Sequence, residues 1–206
     1  MNLQLPNKAR VQKFIPKNKF FAKAIVNSKL KDDFTNKIEK ITWFYKVSEE
    51  TVGIPKTENV EEIQVFEIIL REQIIPKSII TLIDKTIPYP ILYRFSYKDH
   101  FAFGITYKIE GNFSNFYSEW DYPITFEFNA KDLEVVYQNM VKEFLYKSEN
   151  PQFDEAFEVD KQIKILEKNI TNLKNKIKLE TQFKDKVDLN KELTGLKLQY
   201  NKLTKQ

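Results

Sequence analysis

Apolar residues recur in alternating steps of three and four through residues 154–206, a stretch with no proline and a single glycine, Gly195. This heptad spacing is typical of a coiled coil, whose apolar stripe stays exposed to water unless another helix covers it. The pattern therefore predicts a coiled-coil helix over residues 151–206 that mediates self-association or binding to a protein partner. The predicted interaction residues are Ile163, Leu166, Ile170, Leu173, Ile177, Leu193, Leu196 and Leu203.

A polar gap interrupts the heptads after Ile177 and places Glu180 and Lys184 at positions that should be apolar. Two arrangements of the helix are compatible with this gap. The helix either continues with a change of phase, or it reverses near residues 181–188 into an antiparallel hairpin. Neither glycine nor proline lies in that window to mark a turn, which favours a continuous or slightly bent helix.

Residues 1–150 are rich in Phe, Tyr and Ile and predict a globular domain. The polar residues 98–100 separate two strand-like runs and predict a tight turn with antiparallel pairing. We therefore predict an α+β fold with a mixed, largely antiparallel sheet packed with helices, followed by the long C-terminal coiled-coil helix. The predicted strands are residues 38–47, 60–70, 91–97, 101–109 and 117–128, and the predicted helices are 18–37, 132–146 and the segment between Pro76 and Pro88.

Charge is distributed unevenly along the chain, although the net charge is only +4. Residues 1–46 carry eleven Lys or Arg against three Asp or Glu, whereas residues 47–153 carry ten against seventeen. A basic arm beside an acidic body can bind a polyanion, and Lys13, Lys17, Lys19 and Lys23 are the predicted nucleic-acid contacts. The alternative is that the arm pairs with acidic protein, either this chain's own body or a partner.

Composition excludes several kinds of chemistry. The chain has no cysteine, a single histidine (His100, in the predicted turn) and four scattered glycines, so thiol chemistry, paired-imidazole metal sites and phosphate-binding loops are not expected. We predict no catalytic residues, metal or cofactor, and we favour a binding role over an enzyme. Long apolar runs and a signal peptide are also missing, so we expect a soluble cytoplasmic protein.

A metal-dependent nuclease is the enzymatic alternative, because the basic arm indicates nucleic acid. Restriction-type nucleases use an acidic residue followed two positions later by lysine, and this chain has no such pair. The nearest variant is Glu62-Ile63-Gln64 on a predicted central strand, which is more simply the polar face of that strand. Glu119 and Asp121, beside Trp120, are a weaker candidate for metal ligands. Aromatic residues in 91–128 are favoured as core rather than as stacking platforms for bases.

Four segments carry a family resemblance: residues 14–17 (FIPK), 41–48 (ITWFYKVS), 61–95 and 178–193. With these motifs the chain resembles the bacterial domain-of-unknown-function family numbered 4391 over essentially its whole length. The resemblance implies an accessory protein encoded beside helicases and DNA methyltransferases in restriction and phage-defence loci, and no activity assigned to particular residues. We therefore expect a non-catalytic subunit of such a system, assembled by its coiled coil with itself or with the helicase or methyltransferase. The alternatives are a nuclease-like enzyme with a degenerate site and a pure protein scaffold.

Overall fold

Six strands form one mixed sheet in the computed structural model, which describes residues 3, 5–21, 27–109, 111, 113–146 and 152–204. The strands lie in the sheet in chain order, and all neighbours pair antiparallel except β3 and β4, which are parallel. The strands are β1 (Arg10–Phe14), β2 (Ile38–Ser48), β3 (Glu62–Leu70), β4 (Ile91–Tyr97), β5 (His100–Tyr107) and β6 (Ser114–Tyr117). The predicted fold class, α+β with a mixed and largely antiparallel sheet, is confirmed.

Seven α-helices accompany the sheet among the described residues, with a short 3-10 turn at Asn7–Ala9. The parallel β3–β4 pair requires a crossover, which α4 supplies. The helices are α1 (Asn18–Phe21), α2 (Ser28–Lys37), α3 (Glu49–Val52), α4 (Lys77–Thr86), α5 (Leu133–Lys142), α6 (Phe153–Leu179) and α7 (Phe183–Thr204). The side chain of Asp132 caps α5 by accepting from the backbone N–H of Val135 at 2.9 Å, as its position in the sequence predicts.

The main core lies between one face of the sheet and helices α1, α2 and α4. Alternate residues of β3 and β4, Phe66, Ile68, Tyr93 and Phe95, point into it because strand side chains alternate between faces. Helix α4 meets them with an apolar stripe at helical spacing, from which Ile79, Ile80 and Ile83 are fully buried. The opposite face of the sheet is packed by α5, where Leu133, Val136 and Tyr137 are fully buried.

Three local predictions differ from the structure. Residues 10–14, expected as part of a basic arm, form the edge strand β1. The predicted strand 117–128 is wrong over most of its length, because β6 ends at Tyr117 and residues 122–129 run on without ladder pairing. The predicted helix 18–37 is present as α1 and α2, and residues 22–26 lie outside the described residues.

The C-terminal segment is a pair of helices, α6 and α7, joined by residues 180–182. The single continuous helix favoured by the sequence is therefore wrong, and the hairpin alternative is the one observed. Buried Ile170 and Leu173 of α6 pack with Leu193 of α7. The turn forms without glycine or proline because the Glu180 carboxylate accepts from the backbone N–H groups of Thr181 and Gln182, both at 2.8 Å.

The chain divides into two compact units, residues 1–144 and 145–206. The first holds the sheet and helices α1 to α5, and the second holds α6 and α7. In the described part of the chain, no helix combines the length and apolar character that a membrane span requires.

Candidate nucleic-acid interface

The basic residues near the N-terminus are organised by β1, an edge strand of the sheet. Arg10 and Lys13 are exposed on this strand, opposite Tyr45 and Trp43 of β2. Between them Gln12 adopts a left-handed backbone conformation with φ of 50°, where the pairing register shifts. This irregularity twists and bends the edge locally. The outer edge of β1 has no neighbouring strand among the described residues and presents two cations to solvent.

An exposed aromatic residue follows Lys13 directly in sequence on the same strand. Phe14, the last residue of β1, is 55% exposed, whereas most phenylalanines of the sheet are buried. Trp43 and Tyr45 on the adjacent strand are half-buried, and the indole N–H of Trp43 donates to the carbonyl of Tyr45 at 3.0 Å. Exposed aromatic faces next to cations can stack on bases while the cations contact phosphates.

The four predicted lysines are in different situations. Lys13 on β1 and Lys19 on α1 are exposed, and Lys23 lies outside the described residues. The ammonium of Lys17 donates to the carbonyl of Ile38, so this group already has a partner inside the protein. Burial, and then the nearby positive charge of Arg71, lower the pKa of Lys17. Lys17 therefore lies near one positive charge, Arg71, and one negative charge, Glu39.

Sequence reasoning missed Arg10 and Phe14 as members of this surface. It searched for stacking aromatics in residues 91–128, where Tyr93, Phe95 and Phe103 are buried in the structure. The signal that could have found Phe14 is its position directly after Lys13 in a segment without acidic residues.

The nuclease-like alternative centres on Glu62 and Gln64 at the start of β3, and the structure adds a lysine to them. Lys46 lies opposite Gln64 in the β2–β3 register, and its ammonium is 2.6 Å from Glu62 Oε2. The amide of Gln64 donates to Glu62 Oε1 at 2.5 Å, while the buried Oε1 of Gln64 has no hydrogen-bond partner among the described groups. The hydrogen bond to Glu62 raises the pKa of Lys46. Both carboxylate oxygens of Glu62 are thus engaged, and a metal would have to displace one of these partners.

Asp121, from the second pair of candidate metal ligands, contacts the single histidine, His100. Asp121 Oδ2 lies 2.6 Å from His100 Nδ1, and Asp121 Oδ1 accepts from the backbone N–H of Phe101 at 3.0 Å. These contacts, led by the hydrogen bond to His100, lower the pKa of Asp121. The described residues contain no group of three or more His, Cys, Asp or Glu arranged to hold a metal.

A buried polar network at one end of the sheet was not predicted. Asp84 near the end of α4 is 3% exposed and accepts from the hydroxyls of Tyr93 at 3.0 Å and Thr106 at 2.5 Å. The Lys108 ammonium lies 3.2 Å from Asp84 Oδ1 and donates to the carbonyls of Asp84, Ile87 and Tyr89 at 2.9 to 3.1 Å. Burial raises the pKa of Asp84 and lowers the pKa of Lys108. The lysine caps the C-terminus of α4, so this network has a structural role.

The predicted interaction residues lie along the pair α6 and α7. Ile170, Leu173, Ile177, Leu193 and Leu196 meet in the seam between these helices, so the stripe is covered within one chain. Ile163 is fully buried, and Leu166 and Leu203 line a shallow groove of ≈ 430 Å³. Exposed apolar side chains remain at the turn, where Leu179 and Phe183 are each 82% exposed.

These features define a two-unit α+β protein with a basic edge strand and a C-terminal helical pair. The chain belongs to the family described as Domain of unknown function (DUF4391), whose model matches residues 3–199. The family membership implied by the sequence motifs is thereby confirmed. No curated protein matches the chain, and no solved structure matches it.

Proposed function

We propose that this protein is a non-catalytic accessory subunit of a bacterial DNA restriction-modification or phage-defence system. In this role the β1 edge contacts the nucleic-acid backbone, and the C-terminal helices bind a protein partner, either a second copy or a helicase or methyltransferase of the same system. The observation that supports it most directly is the exposed edge strand, with Arg10, Lys13 and Phe14 on one five-residue strand.

The contacts expected at this edge are electrostatic and stacking contacts. Arg10 and Lys13 would face phosphates, which carry no base information, so binding would be independent of sequence. Phe14 would stack on an unpaired base, which is accessible in single-stranded nucleic acid and not in a duplex. The proposal therefore favours single-stranded over double-stranded nucleic acid.

The partner-binding role of the helices is supported by their exposed apolar residues. Leu179 and Phe183 flank the turn, and Ile165 and Leu198 are exposed at 53% and 59% further along the helices. Contiguous exposed apolar patches mark surfaces that bind other proteins, and Ile165 contributes to one where it lines the groove with Leu166 and Leu203. The setting in a restriction or defence system is what the family resemblance described above implies.

A salt titration of oligonucleotide binding, followed by fluorescence anisotropy, tests the nucleic-acid role. Each phosphate contact to a single strand should contribute about 0.7 to the slope of log affinity against log salt, so Arg10→Gln and Lys13→Gln should each lower it by about that amount. Phe14→Ala should weaken single-strand binding by about 1–3 kcal/mol and duplex binding much less. Lys131→Gln, whose side chain is 79% exposed, is the matched control and should change nothing.

The broader variant replaces Lys13, Lys17, Lys19 and Lys23 together by Gln. If this variant and Arg10→Gln leave affinity and salt slope unchanged, with and without the neighbouring proteins, the nucleic-acid role is wrong. The protein would then be a scaffold whose basic residues pair with protein acids.

A metal-dependent nuclease is the second candidate, favoured by Lys46 beside Glu62 and Gln64. We expect no DNA cleavage with Mg²⁺ or Mn²⁺, because a metal ion would have to break the Lys46–Glu62 ion pair. That pair would also supply the metal with a single carboxylate ligand, Glu62. Cleavage by the purified protein that is lost in Glu62→Ala would overturn the non-catalytic assignment.

A further inference from the structure

A groove of ≈ 990 Å³ opens on the face of the sheet opposite α4. One wall is aromatic: the ring of Phe103 packs edge-on against Phe101 and Phe126, with centroids 5.8 and 5.2 Å apart. The other wall includes Leu5, Val52 and Ile54. The volume is at the upper end of the range for ligand sites, about 300–1,000 Å³, which suits an elongated occupant.

Residues 123–129 line this groove, and the segment 122–130 belongs to no helix or strand. Its side chains alternate in exposure: Ile124, Phe126 and Phe128 are buried or half-buried, while Thr125 and Glu127 are exposed. Across the described residues, its backbone N–H and C=O groups form no hydrogen bond with the protein. An extended backbone with free donors and acceptors is a template for a further strand.

The floor of the groove carries a cation with unused hydrogen-bond donors. Arg94 Nη1 donates to Glu67 Oε1 at 2.6 Å and to Ser96 Oγ at 2.7 Å, and the guanidinium lies 5.8 Å from the Phe101 ring centroid. Its Nε and Nη2 groups have no partner in the part of the chain that the structure describes. Arg94 is thus ion-paired with Glu67, and the lining of the groove is mixed, with Thr125 and Glu127 beside the aromatic rings. The remaining N–H donors of the guanidinium can bind a second carboxylate.

We propose that this groove binds an extended peptide segment of a partner protein, which pairs with residues 122–130 as an added strand and places a carboxylate against Arg94. Successive free amides and carbonyls can be matched in order by another extended backbone, whereas a globular ligand would leave most of them unpaired. The apolar walls accept alternate side chains of the peptide, and its acidic side chain or terminal carboxylate meets the guanidinium. This site is separate from the β1 edge proposed to contact nucleic acid.

The test starts with a display library of random peptides of about ten residues, selected on the intact chain. One selected peptide is then synthesised in two forms, with N-methyl groups on the odd or on the even backbone amides. Strand addition uses every second N–H of the peptide, so one form should bind about tenfold or more weakly and the other should retain binding. Equal binding by both forms would overturn the proposal.

Variants from the two walls locate the site. Phe128→Asp and Ile54→Lys should each weaken binding by about tenfold or more, because each places a charge in an apolar contact. Arg94→Gln should weaken an acidic peptide and leave its amide counterpart nearly unchanged. Lys131→Gln is the control, and circular dichroism confirms that each variant is folded.

Three results would contradict the assignment. The first is that the peptides selected on the intact chain are no more enriched than those selected on the Phe128→Asp variant. The second is that folded wall variants bind the selected peptide as tightly as the intact chain does. The third is that sedimentation shows a dimer for the intact chain and a monomer for the wall variants. The occupant of the groove would then be a second copy of this chain. Because no nucleic acid is used, these results do not depend on the proposed function.

Discussion

Lys108 and Asp84 show how single polar residues shape the interior of this fold. An ion pair taken out of water loses solvation, and its attraction compensates only when the remaining donors and acceptors are also bonded. Here the lysine has three carbonyls and the carboxylate has two hydroxyls besides their mutual contact. The network joins α4 to β4 and β5, so it holds the crossover helix at the correct end of the parallel strand pair.

Lys108→Met should destabilise the protein by about 3–5 kcal/mol, because it leaves the Asp84 carboxylate buried without its cation and the end of α4 without its cap. Urea unfolding followed by tryptophan fluorescence measures this loss. Lys85→Met, an exposed position on the same helix, should change stability by less than about 0.5 kcal/mol. Equal midpoints for the two variants would mean that the network contributes little.

The raised pKa of Asp84 predicts a pH dependence with a definite sign. A carboxyl whose pKa is higher in the folded than in the unfolded state contributes stability that is fully present below the unfolded value of about 3.9. That contribution is lost as the pH rises through the folded pKa. Compared with the double variant Asp84→Asn, Lys108→Met, the wild-type protein should therefore gain stability between pH 7 and pH 4. A difference that shrinks over this range would contradict the burial-dominated shift.

At the scale of elements, the sequence was informative wherever periodicity decides the structure. The apolar spacing of α4 and α5 and the alternation in β3 predicted those elements closely, because side-chain periods follow directly from backbone geometry. The α6–α7 hairpin was the alternative that the sequence did not favour, because three polar residues and the side chain of Glu180 form the turn without glycine or proline. Strand β1 and the unpaired segment 122–130 escaped because pairing depends on which neighbour is available, and local residues do not encode this. The β1 surface was predicted only in part for the same reason. Its lysines can be recognised from the charge of the sequence, whereas Phe14 is exposed because β1 is the edge strand of the sheet.

The seam between α6 and α7 gives a prediction of its own. Leu173→Ala should destabilise the helical pair by about 2–5 kcal/mol, because the side chain is 5% exposed and packs with Leu193. Leu198→Ala, at a 59% exposed position of α7, is the matched control and should cost much less. Hydrogen exchange of the α6 and α7 amides distinguishes the two, since only the seam variant should speed exchange in both helices. Similar exchange rates in both variants would contradict the internal seam.

At the scale of the whole molecule, the chain consists of two units of different construction. The sheet and its two packed faces are complete within residues 1–144, whereas residues 145–206 bury their apolar seam by pairing two helices. The first unit has the size and core of an independently folding domain. Charge is not divided in the same way, since the basic residues 1–46 and most of the acidic excess of residues 47–153 both lie in the first unit.

A chain that ends at residue 144 should fold on its own and unfold in one cooperative transition. Its circular dichroism should show a lower helical fraction per residue than the full chain, because α6 and α7 are the two longest helices described. The strand signal and near-ultraviolet spectrum should persist. A truncated chain that lacks fixed tertiary structure would show that the first unit requires residues 145–206.

The turn at residues 180–182 has a consequence for exchange between molecules. Since it contains neither glycine nor proline, the same three residues can become helical and join α6 to α7 as one rod. The seam would then be satisfied by the α7 helix of a second molecule, with the same contacts made reciprocally, which is domain swapping. Concentrated samples should contain a slowly exchanging dimer, and Thr181→Gly, which favours the turn, should reduce its fraction in sedimentation experiments. An unchanged dimer fraction in that variant, or no dimer at any concentration, would show that the turn is a fixed feature of the monomer.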